Sequence, residues 1–271
     1  MTTQLPKMSI GDYLRALGRI LAGRPRTPAS LEGNEFLKMI HQRRSVRHFT
    51  HREIPDDVFA AILEAGRLAP STINLQTWSF AIFDAETWRD AFNQTIPFKA
   101  QRAVIVMGDA HRNRAVLGTF PHTPLVEYTV AVMNASLAAM NMNIAAEVLG
   151  VASVMLSETG RAGLLDAGFL KQTLSLPEDV FPIMTIVFGY PSKASPPMPP
   201  KLALDQICFD GDYKETDSKV LEDWMSQMVA GYKASYPLSS LDIQLKVYKS
   251  KIMDAEKELN QMVFHNQAHD Q

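Results

Sequence analysis

The sequence predicts a protein of the α/β or α+β class, with a central sheet covered by helices. Short runs rich in aromatic and β-branched residues, Trp78 to Phe83 and Ala103 to Met107, are separated by stretches whose apolar residues recur at helical spacing. Two further runs, Val151 to Leu156 and Ile183 to Phe188, are apolar nearly throughout, as strands buried on both faces are. With 271 residues, 46% of them hydrophobic, the chain is long and apolar enough for a sizeable core.

The elements follow in order. Ile10, Tyr13, Leu14, Leu17, Ile20 and Leu21 predict an amphipathic N-terminal helix that packs on another surface, ended by Gly23 to Pro28. A second helix is expected over Asn34 to Gln42, then an extended piece near Val46 to Phe49. Pro55-Asp56-Asp57 is a helix start, and Val58, Phe59, Ile62 and Leu63 give that helix an apolar face until Pro70. Another helix is expected between the strands at Trp78 and Ala103. A long helix from Pro124 to Leu149, stopped by Gly150, is read as buried on most of its circumference. Ser192 to Pro200 is an extended connector. Beyond it, Val220, Leu221, Trp224, Met225, Met228 and Val229 form one helix face that Gly231 is expected to end. Leu241, Leu245, Tyr248, Ile252, Ala255, Leu259 and Met262 then alternate by four and three, the seam of a short coiled coil or of an ordinary amphipathic helix. Residues 1–35 thus read as a helical arm, 36–213 as the main domain and 214–271 as a helical extension.

With 27 basic against 29 acidic side chains, the formal charge of −2 offers no long-range field for a nucleic-acid backbone, and no local basic patch of the required size is present. Cys208, the sole cysteine, makes neither an internal disulfide nor a cysteine-based zinc site. The start lacks a signal-peptide pattern, so the cytoplasm is the expected location. Tyr128 to Ala146 carries no charge, but Asn134, Ser136, Asn141 and Asn143 interrupt it and no membrane span is expected.

Dinucleotide-fold, phosphate-loop, zinc-protease, serine-hydrolase and dithiol motifs are absent, and the histidines show no metal-ligand spacing, so no metal is assigned. What remains is a basic knot, Arg43-Arg44-Ser45-Val46-Arg47, where a helix meets an extended segment. Guanidiniums and a hydroxyl supply the bidentate donors and fixed charge that a phosphate monoester needs, although a solvated basic surface has the same composition. In an extended piece Arg43, Ser45 and Arg47 share one side. The second constellation is Pro70-Ser71-Thr72-Ile73-Asn74-Leu75-Gln76-Thr77-Trp78, a polar loop between a helix and a strand. It can read the edge of a flat heterocycle, or serve only as turn and cap.

In this order, the two constellations resemble the FMN-dependent nitroreductase family, with its R-x-S-x-R/K segment followed by a P-S-x-x-N-x-Q-P-W loop. Ala145-Ala146-Glu147-Val148-Leu149-Gly150 is similar to the family's A-A-x-x-L-G, and Leu176-Pro177-Glu178 with Gly189-Tyr190-Pro191 to its L-P-E and G-Y-P. The resemblance covers about Phe36 to Tyr213. It departs at Thr77, where the family has proline, at Lys201, where it usually has arginine, and at the bulky Ile73; Lys99 only weakly matches its mid-chain lysine.

The resemblance implies an α+β fold with a mixed sheet and an intertwined homodimer with extra C-terminal helices. It implies that Arg43, Arg44, Ser45 and Arg47 hold FMN, with Lys201 at the phosphate. Pro70, Ser71, Thr72 and Asn74 would close the site from the other subunit, Gln76 would also bind the cofactor, and backbone at Ser157 and Glu158 would face the flavin N5 edge. No catalytic side chain is expected. Hydride would come from NADH or NADPH and pass to nitroaromatics, quinones or similar planar acceptors by ping-pong kinetics. The stretch Ala110 to Thr123 is expected to form part of a lid, with Phe120, Pro121 and His122 as acceptor contacts. A non-catalytic FMN-binding scaffold, a family variant with another reaction such as ene reduction, dehalogenation or flavin fragmentation, and a plain anion-binding protein remain open alternatives at this level.

Overall fold

The computed structural model describes residues 8–117, 122–157 and 166–264. These form two compact units: one holds residues 33–195 together with those from 250 onward, the other those up to 32 together with 196–249.

The larger unit is built on a four-stranded sheet. Strands β1 (Trp78–Phe83), β2 (Arg102–Asp109), β3 (Ala152–Leu156) and β4 (Val180–Gly189) lie in the order β1-β2-β4-β3, every pair antiparallel. One isolated parallel bridge, Ser45 to Ser153, lies outside these strands. Alternation along β2 feeds two cores. Val104 and Val106 face α3 (Asp56–Arg67) and α6 (Pro124–Val148), while Ala103, Ile105 and Met107 face α4 (Ala85–Phe92) and α7 (Ala167–Thr173). Both faces are covered, which is why β2 reads as an unbroken apolar run.

Strand β4 begins at Val180, three residues before the apolar run the sequence marks. Pro182 hides that start, since proline cannot donate to a ladder. It is accommodated because β3 pairs only with Thr185 to Gly189, leaving β4 an edge at Pro182 opposite a register shift in β2.

α2 (Glu35–Gln42) is capped by the Asn34 side chain, which accepts from the Leu37 N–H at 2.9 Å. α4 opens on a capping box between Asp84 and Thr87 and drives Trp88 and Phe92 into the second core. α5 (His111–Val116) and α7 are short helices absent from the sequence reading, each lacking a full amphipathic repeat. α6 stops where Gly150 takes φ 72 and the Val151 N–H bonds back to the Ala146 carbonyl. Its expected burial is only partial: Met133 is 55% and Leu137 44% exposed, within a stripe that also includes Val126, Met140 and Val148.

In the smaller unit α1 (Ile10–Ala22), capped by Ser9, packs Ala16 and Ile20 against Ala230 of α8 (Ser218–Ser235). α8 runs through Gly231, the expected stop. A Cβ there would lie 3.3 Å from the Ile20 side chain, so this glycine admits a neighbouring helix and does not end its own. α9 (Leu241–Phe264) spans the predicted seam, but Leu245, Tyr248 and Ile252 of that seam are exposed; only towards its end is it covered, where Ala255 is buried and Leu259, Met262, Val263 and Phe264 join the larger unit's first core. No described helix is long and apolar enough to cross a membrane.

Candidate functional site

Two candidate half-sites lie in the larger unit. The first is the basic segment. Arg43 is the last, extended residue at the end of α2, and the chain then runs beside β3, where Ser45 bridges Ser153 and the Val46 N–H donates to the Ser153 carbonyl at 3.1 Å. Val46 is buried at 8%, so alternation turns Ser45 and Arg47 to the opposite side. The Arg47 guanidinium lies 6.0 Å from the Phe98 ring centroid. Arg44 donates from Nη1 to the carbonyls of His41 and Arg43 at 2.7 and 2.8 Å, closing the last turn of α2. Arg44 and Val46 line a recess of about 100 Å³ with Glu147, Gly150, Val151, Ala152, Pro191 and Ser195. Burial pushes the Glu147 carboxyl up, while Arg43 and Arg44 pull it down less strongly. Beneath this segment Asn143 donates from Nδ2 to the Ser153 hydroxyl at 2.9 Å, and its Oδ1 is buried without a partner.

The second half-site is the loop after α3. Ile73, Asn74 and Gln76 have φ values of 41, 60 and 49, a left-handed cluster that a β-branched residue such as Ile73 adopts only under constraint. The constraints are visible. Asn134, 1% exposed on α6, donates from Nδ2 to the Thr77 hydroxyl at 2.7 Å and accepts at Oδ1 from the Thr72 N–H at 3.1 Å. The Gln76 N–H donates to the Ser71 hydroxyl at 3.1 Å. From α5, Arg112 donates to the Gln76 carbonyl at 3.2 Å and to that of Trp78, and Asn113 donates to the Leu75 carbonyl at 3.4 Å. Asp109 accepts from Ser79 and holds Arg112 at 3.4 Å.

Loop, α5 and the start of α6 enclose a cavity of about 450 Å³. Its wall is largely apolar, with Ile73, Leu75, Leu117, Val126 and Val130, and its charged members are Arg114 and Glu127. Arg114 pairs with Glu127 at 3.0 Å and with Asp179 at 2.8 Å, and donates to His122 Nδ1, which must accept because a guanidinium has only donors. Burial pushes the Glu127 carboxyl up, but the Thr123 N–H at 3.1 Å and Arg114 outweigh it and hold Glu127 below its ordinary value. The recess at Arg44 and this cavity share no lining residue.

The sequence model described as "Nitroreductase family" matches residues 40–190, a span that contains both half-sites. The chain belongs to the nitroreductase family. It is 34% identical over 163 residues to an Archaeoglobus fulgidus protein whose name gives it as a candidate NADH dehydrogenase/NAD(P)H nitroreductase, covering 58% of this chain and 86% of that one. An FMN reductase [NAD(P)H] of Bacillus subtilis is 27% identical over 231 residues, 73% of this chain and 91% of its own. Among solved structures, NfrA2 of B. megaterium superposes with a TM-score of 0.67 at 24% identity, covering 80% of this chain and 92% of that chain. The NADPH:FMN oxidoreductase of Vibrio harveyi, solved with NAD+, gives 0.65 at 21% identity over 83% and 97%. These last two show a shared fold.

Within this nitroreductase fold, Arg43, Ser45, Arg47 and Ser157 lie on the segment beside β3 and at the end of that strand. Pro70, Ser71, Thr72, Asn74 and Gln76 lie in the loop, and Thr72 shares the cavity with His122. Glu158, Phe120 and Pro121 fall outside the described residues, and Lys201 belongs to the other compact unit. Thr77 places its hydroxyl under Asn134, a bond that proline lacks. Arg112, Asn113, Arg114, Glu127 and Asn134 were not marked as site residues by the sequence. Only Asn134 carried a signal, as an amide in an otherwise apolar helix. Among the described residues no cluster of His, Cys, Asp and Glu could hold a metal.

Proposed function

We propose that this nitroreductase-family protein is an FMN-dependent NAD(P)H oxidoreductase that reduces flat electron acceptors and works as a homodimer. The observation that supports it best is the division of the site. The largely apolar cavity behind the strained loop is lined by none of Arg43, Ser45 and Arg47, whose charge and hydroxyl suit a phosphate, although loop and basic segment belong to one domain. A second copy supplies the missing half to each. The exposed apolar stripe of α6, at Met133 and Leu137 among others, is the surface that such a copy would cover. The names of the Bacillus subtilis FMN reductase and the Archaeoglobus fulgidus relative support the same activity.

The donor set fits FMN. Arg43 and Arg47 bring fixed positive charge and forked donors, Ser45 a hydroxyl, and Ser157 backbone groups at the open end of β3. Loop residues Pro70 to Gln76 present backbone and side-chain donors from the partner's side. When bound, FMN would supply the redox chemistry, hydride acceptance from NAD(P)H and electron donation to the acceptor. The chain's own residues bind, orient and exclude water. Arg47 offers charge for an electron-rich ring edge, and Asn134, Arg112 and Asn113 keep the loop in its left-handed shape without rearrangement during turnover. Donor and acceptor use one apolar cavity in turn, so ping-pong kinetics are expected, without a nucleophile or metal.

The test is a visible spectrum of purified protein reconstituted with FMN, before and after anaerobic NADH or NADPH. A yellow protein that bleaches and is recoloured by a quinone is the expected result. Protein that stays colourless in excess FMN overturns the proposal, and yellow protein that neither donor bleaches leaves a non-catalytic flavin scaffold.

A further inference from the structure

We propose that Glu127 makes the cavity selective for uncharged flat acceptors and against their carboxylated or sulfonated counterparts. This rests on the reading of the cavity as the acceptor site. An arginine in an otherwise apolar pocket ordinarily invites an anion, because a guanidinium presents forked donors to a carboxylate. Here that capacity is taken up within the protein. Arg114 Nη1 lies 2.8 Å from Asp179 Oδ2, Nη2 lies 3.0 Å and Nε 3.2 Å from Glu127 Oε2, and Nη2 also donates to His122 Nδ1.

All three guanidinium nitrogens are therefore engaged. Arg114 and Glu127 are both partly buried, with side chains 31% and 26% exposed, so water does not readily replace either partner. Glu127 is further fixed by the Thr123 N–H at the start of α6, which holds its carboxylate at the cavity wall instead of letting it swing to solvent. Among the described lining residues Arg114 and Glu127 are the charged groups, and the others are apolar or neutral polar. Among the described lining residues an incoming carboxylate thus finds no cation free of an anionic partner, and must lose water beside an existing negative charge. Arg112, the next basic side chain along α5, is turned away onto loop carbonyls and Asp109 and does not line the cavity. An amide, nitro or quinone group meets no such penalty, and Thr72, Thr77 and Thr123 are among the neutral polar residues of the wall.

One unit charge at about 6 Å through an effective dielectric of about 40 changes binding about tenfold. The experiment titrates 4-nitrobenzamide and 4-nitrobenzoate into the oxidised, FMN-loaded dimer without donor, and follows the bound flavin's visible spectrum. The amide is expected to bind about tenfold more tightly than the carboxylate, and the ratio of kcat/KM values to follow. In Glu127→Gln the guanidinium loses an anionic partner, and the Kd ratio should fall to within about threefold. Asp179→Asn, on the other side of Arg114, should shift the ratio in the same direction and serves if the first variant disturbs the start of α6. Equal affinities in the wild type, or an unchanged ratio in a folded Glu127→Gln, overturn the inference. If neither compound perturbs the flavin while NAD(P)H still bleaches it, the cavity is not the acceptor site and the inference falls alone. If no flavin is retained, the functional reading falls with it.

Discussion

Asn134 is the residue whose replacement tests most directly whether the loop's shape is imposed from α6. Asn134→Leu keeps the volume and removes both hydrogen-bonding groups. The Thr77 hydroxyl, on a residue only 3% exposed, loses its 2.7 Å partner, which costs about 1–3 kcal/mol for a buried polar group left unpaired. The Thr72 N–H loses its 3.1 Å acceptor nearer the surface, for about a further 0.5–1.5 kcal/mol. The sum is about 1.5–4.5 kcal/mol, or roughly 3–18 °C in Tm for a domain of this size. Urea unfolding of the flavin-free protein in a Trp224→Phe background, where fluorescence comes from Trp78 and Trp88 alone, reads the larger unit. Thr77→Val breaks only the first bond and should cost about 1–2 kcal/mol. Because the two variants share that bond, the double variant should fall short of additivity by about 1 kcal/mol. A loss below about 0.5 kcal/mol for Asn134→Leu, or strict additivity, would refute the anchoring role.

Arg43→Ala should weaken FMN binding about tenfold or more, since a charge-assisted phosphate contact is worth about 1.5–3 kcal/mol, and flavin fluorescence on dilution measures it. Leu137→Glu places a charge in the exposed α6 stripe and should shift the protein to a monomer by light scattering, with loss of bound flavin in the same fraction. Glu147 has its carboxyl raised by burial against the weaker pull of Arg43 and Arg44, so the folded state favours its protonated form. Its contribution to stability therefore declines as pH rises from the ordinary carboxylate value of about 4.3 through the higher folded value. Glu147→Gln should match the wild type near pH 4 and exceed it in urea midpoint at pH 7; an advantage confined to acid pH would reverse the sign and exclude burial as the cause.

Much of this fold was legible because local signals and tertiary packing agree. The β1 run is observed with its sequence bounds, and the caps at Asn34 and Gly150 fall where their chemistry requires. Legibility failed where a residue's role depends on what lies across from it. Gly231 reads as a stop but is the space that admits Ile20, and Pro182 reads as a strand boundary but lies within β4 where that strand has no second neighbour. The short helix α5, which carries Arg112, Asn113 and Arg114 to the loop and cavity, has too few residues for a periodic signal.

By itself the sequence determined the alternation of helices and strands, the family, and the two segments that carry the site chemistry, because each is written in contiguous spacing: periodicity, caps, and motifs within a few residues. Tertiary structure alone decided that Arg114 is held by Glu127 and Asp179, that Asn134 supports a left-handed loop, and that the long α6 leaves one apolar stripe uncovered. Those properties arise from groups brought together across long stretches of chain, and charge satisfaction, backbone strain and exposure exist only once the partners are in place.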